Sequence, residues 1–194
     1  MKQLHRKDLF SWSEFNEERN LDFNSTLWVN SQGNVIIDPV KLNEHDKNHL
    51  ISLGGASHII ITNSDHIRDT ENILDLTGAK CWGPMEEKET FPFACDKWLS
   101  DKDQPLMGIE ILTLNGSKTK GELAILIEKT TLITGDLIRV HEGGRLCILP
   151  KEKLQNYKLA YESVKRLSTL DNVQAVIPGD GWPIFSYGND ALLS

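Results

Sequence analysis

The chain has 194 residues, 39% hydrophobic and 25% charged, close to globular averages; this excludes a disordered or fibrous protein and suits one core, so residues 1–194 are read as one domain. A formal charge of -7 with a pI near 5.4 leaves no electrostatic footprint for nucleic acid or an anionic membrane, and neither partner is expected. Residues 1–20 lack the apolar stretch of a signal peptide and no apolar run approaches about 18 residues, so a cytoplasmic location is expected.

In chain order, Ser25 to Asp38 holds two strand-like runs around the turn Ser31-Gln32-Gly33-Asn34, which predicts a hairpin. A polar stretch from Leu42, with Leu50, Ile51 and Leu53 as apolar positions, predicts a helix stopped by Gly54-Gly55. His58-Ile59-Ile60-Ile61-Thr62 is an apolar, β-branched run suited to a buried central strand. Asn63, Ser64 and Asp65 then offer N-caps to a second helix, along whose face Ile67, Thr70, Leu74 and Thr77 recur until Gly78. Lys80-Cys81-Trp82 reads as a short strand, and the aperiodic, charged stretch from Gly83 to Gln104 reads as connection.

Met107–Leu114, Glu122–Glu128 and Thr131–Thr134 form three strand-like runs separated by glycine or polar breaks, the pattern of a meander. After Pro150, spacings of three and four among Leu154, Tyr157, Tyr161, Val164 and Leu167 predict a long helix. Val173–Ile177 predicts a last strand, ending in Pro178-Gly179-Asp180-Gly181. These groups suit either a two-sheet sandwich covered by helices or a doubly wound sheet. Cys81, Cys95 and Cys147 lack the close paired spacings of zinc or redox motifs and read as reduced packing residues. Trp82, Trp98 and Trp182 suit an interface or the core equally, so the oligomeric state is not legible.

Taken singly, the polar strand ends have ordinary roles: Asn63 and Asp65 cap a helix, and Gly135-Asp136 and Gly179-Asp180-Gly181 are turns. Ser117 lacks a G-x-S-x-G setting and the cysteines lack a histidine-paired motif, so a nucleophilic hydrolase is not indicated.

Taken in order, Asn34-Val35-Ile36-Ile37-Asp38, Ile61 to Arg68, Thr134-Gly135-Asp136 and Pro178-Gly179-Asp180-Gly181 resemble the metallo-β-lactamase superfamily. The resemblance implies an αββα sandwich, with two mixed β-sheets flanked by helices. It also implies a hydrolase acting on an ester, thioester, amide or phosphoester through metal-activated water. In the superfamily a T-H-x-H-x-D-H motif follows a core strand. Here Thr62 matches, Asn63 and Asp65 occupy the first two histidine positions, Ile67 the aspartate and Arg68 the last histidine. Asp38 matches a supporting residue, Ser117 the position of a further histidine, Asp136 the metal-binding carboxylate, and Asp180 replaces a terminal histidine.

This exchange implies either no metal or one divalent ion, with dinuclear zinc not expected. Asp65, His66, Asp136 and Asp180 are the candidate ligands, because carboxylate and amide oxygens suit harder ions than zinc. Asp65 is also the candidate catalytic base. Converging carboxylates need a cation, and Arg68 offers a permanent one on a fork that matches their geometry. Arg68, Arg139 and His141 are candidate substrate contacts that favour a small anionic molecule. A non-catalytic descendant, in which Arg68 replaces the metal charge, is the competing reading.

Overall fold

A computed structural model describes residues 1–193, and the elements and contacts named below belong to those residues. The strands are β1 (Lys2–Gln3), β2 (Leu9–Asn16), β3 (Leu21–Trp28), β4 (Val35–Ile37), β5 (His58–Ile60), β6 (Lys80–Pro84), β7 (Lys97–Leu99), β8 (Ile109–Leu114), β9 (Glu122–Ile127), β10 (Thr131–Thr134), β11 (Ile138–Glu142), β12 (Arg145–Ile148) and β13 (Ala175–Pro178). The helices are α1 (Glu44–Ser52), α2 (Thr70–Thr77), α3 (Tyr157–Leu167) and α4 (Gly188–Leu193). The first sheet runs β1 to β7 in chain order, antiparallel as far as β4 and parallel from β4 to β7. The second has the order β13-β10-β9-β8, with β13 parallel to β10 and the other pairs antiparallel. β11 and β12 form a separate two-stranded ribbon.

Successive strand residues point to opposite faces, and this alternation builds three apolar layers. Val35, Ile37 and Ile60 of the first sheet meet Ile109, Ile111, Ile125 and Ile133 of the second in the middle layer. Ile36, Ile59 and Ile61 point the other way, onto Leu50 of α1 and Ile73 of α2. Leu112, Leu114, Ala124 and Leu126 cover the outer face of the second sheet beneath Ala160 and Leu167 of α3. The order of layers is helix, sheet, sheet, helix, as the resemblance implied, with two mixed sheets. No described helix is long and apolar enough to cross a membrane.

The structure departs from the sequence reading at several elements. The predicted hairpin exists as β3 and β4, but β3 pairs along its whole length with β2, a strand not anticipated. The helix expected from Asn63 divides into a 3₁₀ turn, Ser64–His66, and α2, because Arg68 takes a left-handed φ of 47° between them. The stretch read as connection contains β7, and β11, β12 and α4 were not expected. On α3 the buried residues are Ala160, Ser163 and Leu167; Tyr157 and Tyr161 stack on the solvent side, so the inner stripe is offset from the one read through the tyrosines. Trp82 is buried, Trp98 half-buried and Trp182 exposed.

β4 is parallel to β5 and β10 is parallel to β13, and contacts between the segments that follow them, His66 with Asp136 and Asp180, put all four exits at the same end of the sandwich. Asp38, Thr62, Asp136 and Asp180 follow those four strand ends, where ligands of sheet folds gather.

Candidate functional site

After β4, Asp38 adopts a left-handed φ of 48° and turns its carboxylate across the neighbouring strand end. Oδ1 accepts Thr62 N at 2.7 Å and Oδ2 accepts Thr62 Oγ1 at 2.6 Å. The same Oδ2 accepts Nδ1–H of His66 at 2.8 Å. An ionised carboxylate only accepts, so this bond keeps a proton on Nδ1 and turns Nε2 the other way. There Nε2 faces Asp136 Oδ1 at 3.5 Å and Asp180 Oδ1 at 4.0 Å. All three side chains are buried, and one ligand atom from each lies within 4.8 Å of the others.

The turn carrying Asp136 is held by a buried residue to which the motif reading gave no role. Glu122, at the head of β9, accepts Asp136 N at 2.8 Å and Leu137 N at 2.9 Å, while its second oxygen accepts Ser117 Oγ at 2.5 Å. Gly135 is required beside it, since a Cβ there would lie 2.8 Å from both Asn63 Nδ2 and Thr62 Oγ1. The sequence signal for Glu122 was a lone acid opening the apolar run Leu123–Ile127.

Arg68 reaches the same end of the sandwich. Its guanidinium donates to Asn24 O at 2.7 Å, Gly179 O at 3.2 Å and Asp180 Oδ1 at 3.1 Å, and lies over the Phe23 ring at 5.1 Å. The outward side of the group opens into a cleft of about 190 Å³ lined by Arg19, Phe23, Asp65, His66, Arg68, Lys118, Asp136 and Asp180.

Titration follows these contacts. Burial and the Arg68 charge act to lower the pKa of His66, but the carboxylates of Asp38 and Asp136 outweigh them and raise it to about 10. Burial raises the Asp136 carboxyl, yet the His66 charge and bond, with Lys118 and Arg68, hold it well below the usual carboxylate range. Asp180 goes the other way, since burial outweighs the pull of His66 and Arg68 and leaves it raised. Glu122 is pushed up to about 8, first by burial and then by the negative charge of Asp136.

Of the residues singled out from sequence, the structure brings His66, Asp136 and Asp180 together, with Arg68 on Asp180. Asp65 stands at the rim of the cleft, its carboxylate paired with Lys118, while its backbone N–H donates to Asn63 Oδ1 at 2.9 Å in the capping geometry read for Asn63. Ser117 is buried and bonded to Glu122. Arg139 and His141 lie on β11, which runs beside Asp180: Val140 N donates to Asp180 O at 3.2 Å. His141 lines a neighbouring depression of about 260 Å³ with Glu142, Arg145, Leu146 and Cys147; burial and the Arg139 charge lower its pKa. Lys118 and Arg19 in the cleft were not anticipated.

The donor set suits a divalent cation. Separations of 3.5 and 4.0 Å are longer than the about 2.7–2.9 Å of charge-assisted hydrogen bonds and approach the about 3–3.4 Å between neighbouring ligand atoms around an ion with bonds of about 2.1 Å. Asp136 Oδ2 is buried without a protein partner, and a histidine whose far nitrogen is fixed by a carboxylate is the usual support of a metal ligand. Among the described residues, His66, Asp136 and Asp180 are the one group of three such side chains.

Several solved structures share this architecture. A metallo-beta-lactamase from Pontibacter korlensis is 13% identical with a TM-score of 0.76, covering 98% of this chain and 94% of that one. The DIM-1 metallo-beta-lactamase is 14% identical with a TM-score of 0.73, covering 98% and 95%. TTHA1623, crystallised in a di-iron-bound form, is 18% identical with a TM-score of 0.70, covering 93% and 96%. No curated protein matches the chain. The model of the metallo-beta-lactamase superfamily matches residues 1–194, and the chain belongs to that superfamily.

Proposed function

We propose that the chain is a hydrolase-like protein with an altered centre, in which His66, Asp136 and Asp180 hold one divalent cation and the substrate is a small anionic ester, thioester or phosphoester. The observation that supports this reading is the outward face of His66: Nε2 stands 3.5 and 4.0 Å from two carboxylates whose remaining buried oxygen, Asp136 Oδ2, has no protein partner. A divalent ion in that position supplies a Lewis acid that polarises a carbonyl or phosphoryl oxygen and lowers the pKa of water. Asp38 orients the His66 ring and Glu122 holds the main chain of Asp136. Arg19 and Lys118 give the cleft positive charge at its mouth, which draws an anion inward. In this reading Asp65, which pairs with Lys118 at the rim, accepts a proton from attacking water.

Calorimetric titration of EDTA-treated protein with Mn²⁺ and Zn²⁺ tests the reading. The expected result is one ion per chain, lost in His66→Ala, with metal-dependent hydrolysis in a panel of aryl esters, thioesters and phosphoesters. Two ions per chain, or none, would sink it. One observation favours a non-catalytic binding module instead: Arg68 already sits 3.1 Å from Asp180 and stands in for the metal charge. On that reading the wild type binds no ion at millimolar concentration and Arg68→Ala acquires binding.

A further inference from the structure

Cys81 and Cys95 lie outside the site, and their sulfurs are in contact at 3.3 Å. Cys81 is buried in β6, where the first sheet packs against its helices, and Cys95 packs on it half-exposed from the segment leading into β7. The main chain fixes their approach: Asp96 N donates to Cys81 O at 2.8 Å, and Cys81 N donates to Asp96 Oδ2 at 2.8 Å. Two residues along the same strand face is Gly83, where a Cβ would stand 3.0 Å from Cys95 Sγ. The strand is therefore bare where Cys95 sits. The remaining cysteine, Cys147, is elsewhere, donating to Arg139 O on the ribbon.

We propose that Cys81 and Cys95 form a reversible oxidation site, at which a peroxide or a low-molecular-weight disulfide joins them into a bridge that staples the segment between them. That segment carries Glu87, whose carboxylate accepts Ser64 N at 2.9 Å and Gly121 N at 3.2 Å. Glu87 thus ties together the two loops that present Asp65 and His66 on one side and Lys118 on the other. A bridge between residues 81 and 95 limits local opening of the support beneath the cleft.

The division of labour between the sulfurs follows from exposure. Cys95 is the attacking thiolate: the S–H of Cys81 donates to it and holds it below the ordinary thiol range, whereas that same bond and burial push Cys81 up. With a peroxide, the Cys95 sulfur attacks one oxygen, the O–O bond breaks, and Cys95 sulfenic acid and hydroxide result, the hydroxide taking up a proton to become water. The Cys81 sulfur then attacks the Cys95 sulfur; the S–O bond breaks, and the departing hydroxide takes the proton of Cys81 as water. Two thiols and one peroxide give one disulfide and two waters. With a low-molecular-weight disulfide, Cys95 displaces one thiolate to form a mixed disulfide, and Cys81 displaces the second.

The test exposes reduced full-length protein to stoichiometric hydrogen peroxide and, separately, to oxidised glutathione, followed by digestion and mass spectrometry without reductant. The expected product is a peptide pair linked through Cys81 and Cys95, with titratable thiols in the denatured protein falling from three to one. Tm rises by roughly 6–12 °C, as closing a loop of this length predicts, and dithiothreitol reverses the change. Cys147→Ser should still form the bridge and Cys95→Ser should not; the second variant replaces a half-exposed side chain and preserves the test if Cys81→Ser fails to fold. The proposal is overturned if Cys95 stops at a sulfinic acid or a stable glutathione adduct, or if the bridge forms without raising Tm.

Discussion

The charge at the centre of the cleft can be measured through His66→Gln. At an effective dielectric of about 20, unit charges at the separations of 2.8 and 3.5 Å between the ring nitrogens and the carboxylates of Asp38 and Asp136 attract by about 5–6 kcal/mol each. Burial of the ring and repulsion from Arg68 offset much of this. The net appears in the ring's pKa, raised from 6.5 to about 10, which at about 1.4 kcal/mol per unit corresponds to about 5 kcal/mol favouring the charged ring in the metal-free fold. Because the folded value lies above the unfolded one, this contribution is complete below pH 6.5 and is lost as pH rises toward about 10. Urea unfolding of EDTA-treated protein, followed by tryptophan fluorescence between pH 6 and 10, is the assay. At pH 6 the variant should be less stable by about 3–5 kcal/mol, the cost of leaving buried carboxylates without their cation. The gap should narrow steadily toward pH 10. A residual decline should persist in both proteins as pH rises through about 8, where Glu122 is forced to ionise. Equal stability of variant and wild type at pH 6, or a difference that does not change with pH, would refute the reasoning.

The neighbouring contacts give three further expectations. Arg68→Met strips the fork from Asp180 and from the carbonyls of Asn24 and Gly179; denaturant unfolding should show a loss of about 3–5 kcal/mol, while calorimetric affinity for Mn²⁺ rises at least about tenfold. Asp65→Asn breaks only the partly exposed pair with Lys118 and should leave stability within about 1 kcal/mol of wild type in the same assay. Gly181→Ala places a methyl 1.7 Å from Val140 O at a φ of 92°; thermal melts should show severe destabilisation or no cooperative transition.

Strand alternation made most of the sandwich legible: Ile59, Ile60 and Ile61, for example, divide between two apolar layers as a central strand must. β2 escaped notice because its second half, Ser13 to Phe15, is exposed and interrupts the apolar signal of Leu9 to Trp12. The β11 and β12 ribbon was hidden for a similar reason, with most of its side chains only half-buried or exposed. At the site, the resemblance put His66, Asp136 and Asp180 among the candidate ligands but did not show how His66 reaches the two aspartates. The 3₁₀ turn over Ser64–His66, followed by the left-handed Arg68, brings His66 inward and leaves Asp65 at the rim. Glu122 showed in the sequence only as a lone acid before an apolar run, because two of its partners are main-chain amides of Asp136 and Leu137, which carry no side-chain signature.

The contacts of Arg68 also constrain how this sequence can change. A histidine at position 68, as the superfamily motif would have it, offers at most two ring nitrogens, whereas the guanidinium satisfies Asn24 O, Gly179 O and Asp180 Oδ1 together and rests on Phe23. Two of those acceptors belong to the backbone and cannot be altered by substitution. The single step back toward the motif would take this donor from Asn24 O and from the buried Asp180 carboxylate before it provided any ligand, so position 68 is entrenched: histidine becomes tolerable there only after β3 and the Gly179 turn have been rebuilt around a smaller side chain.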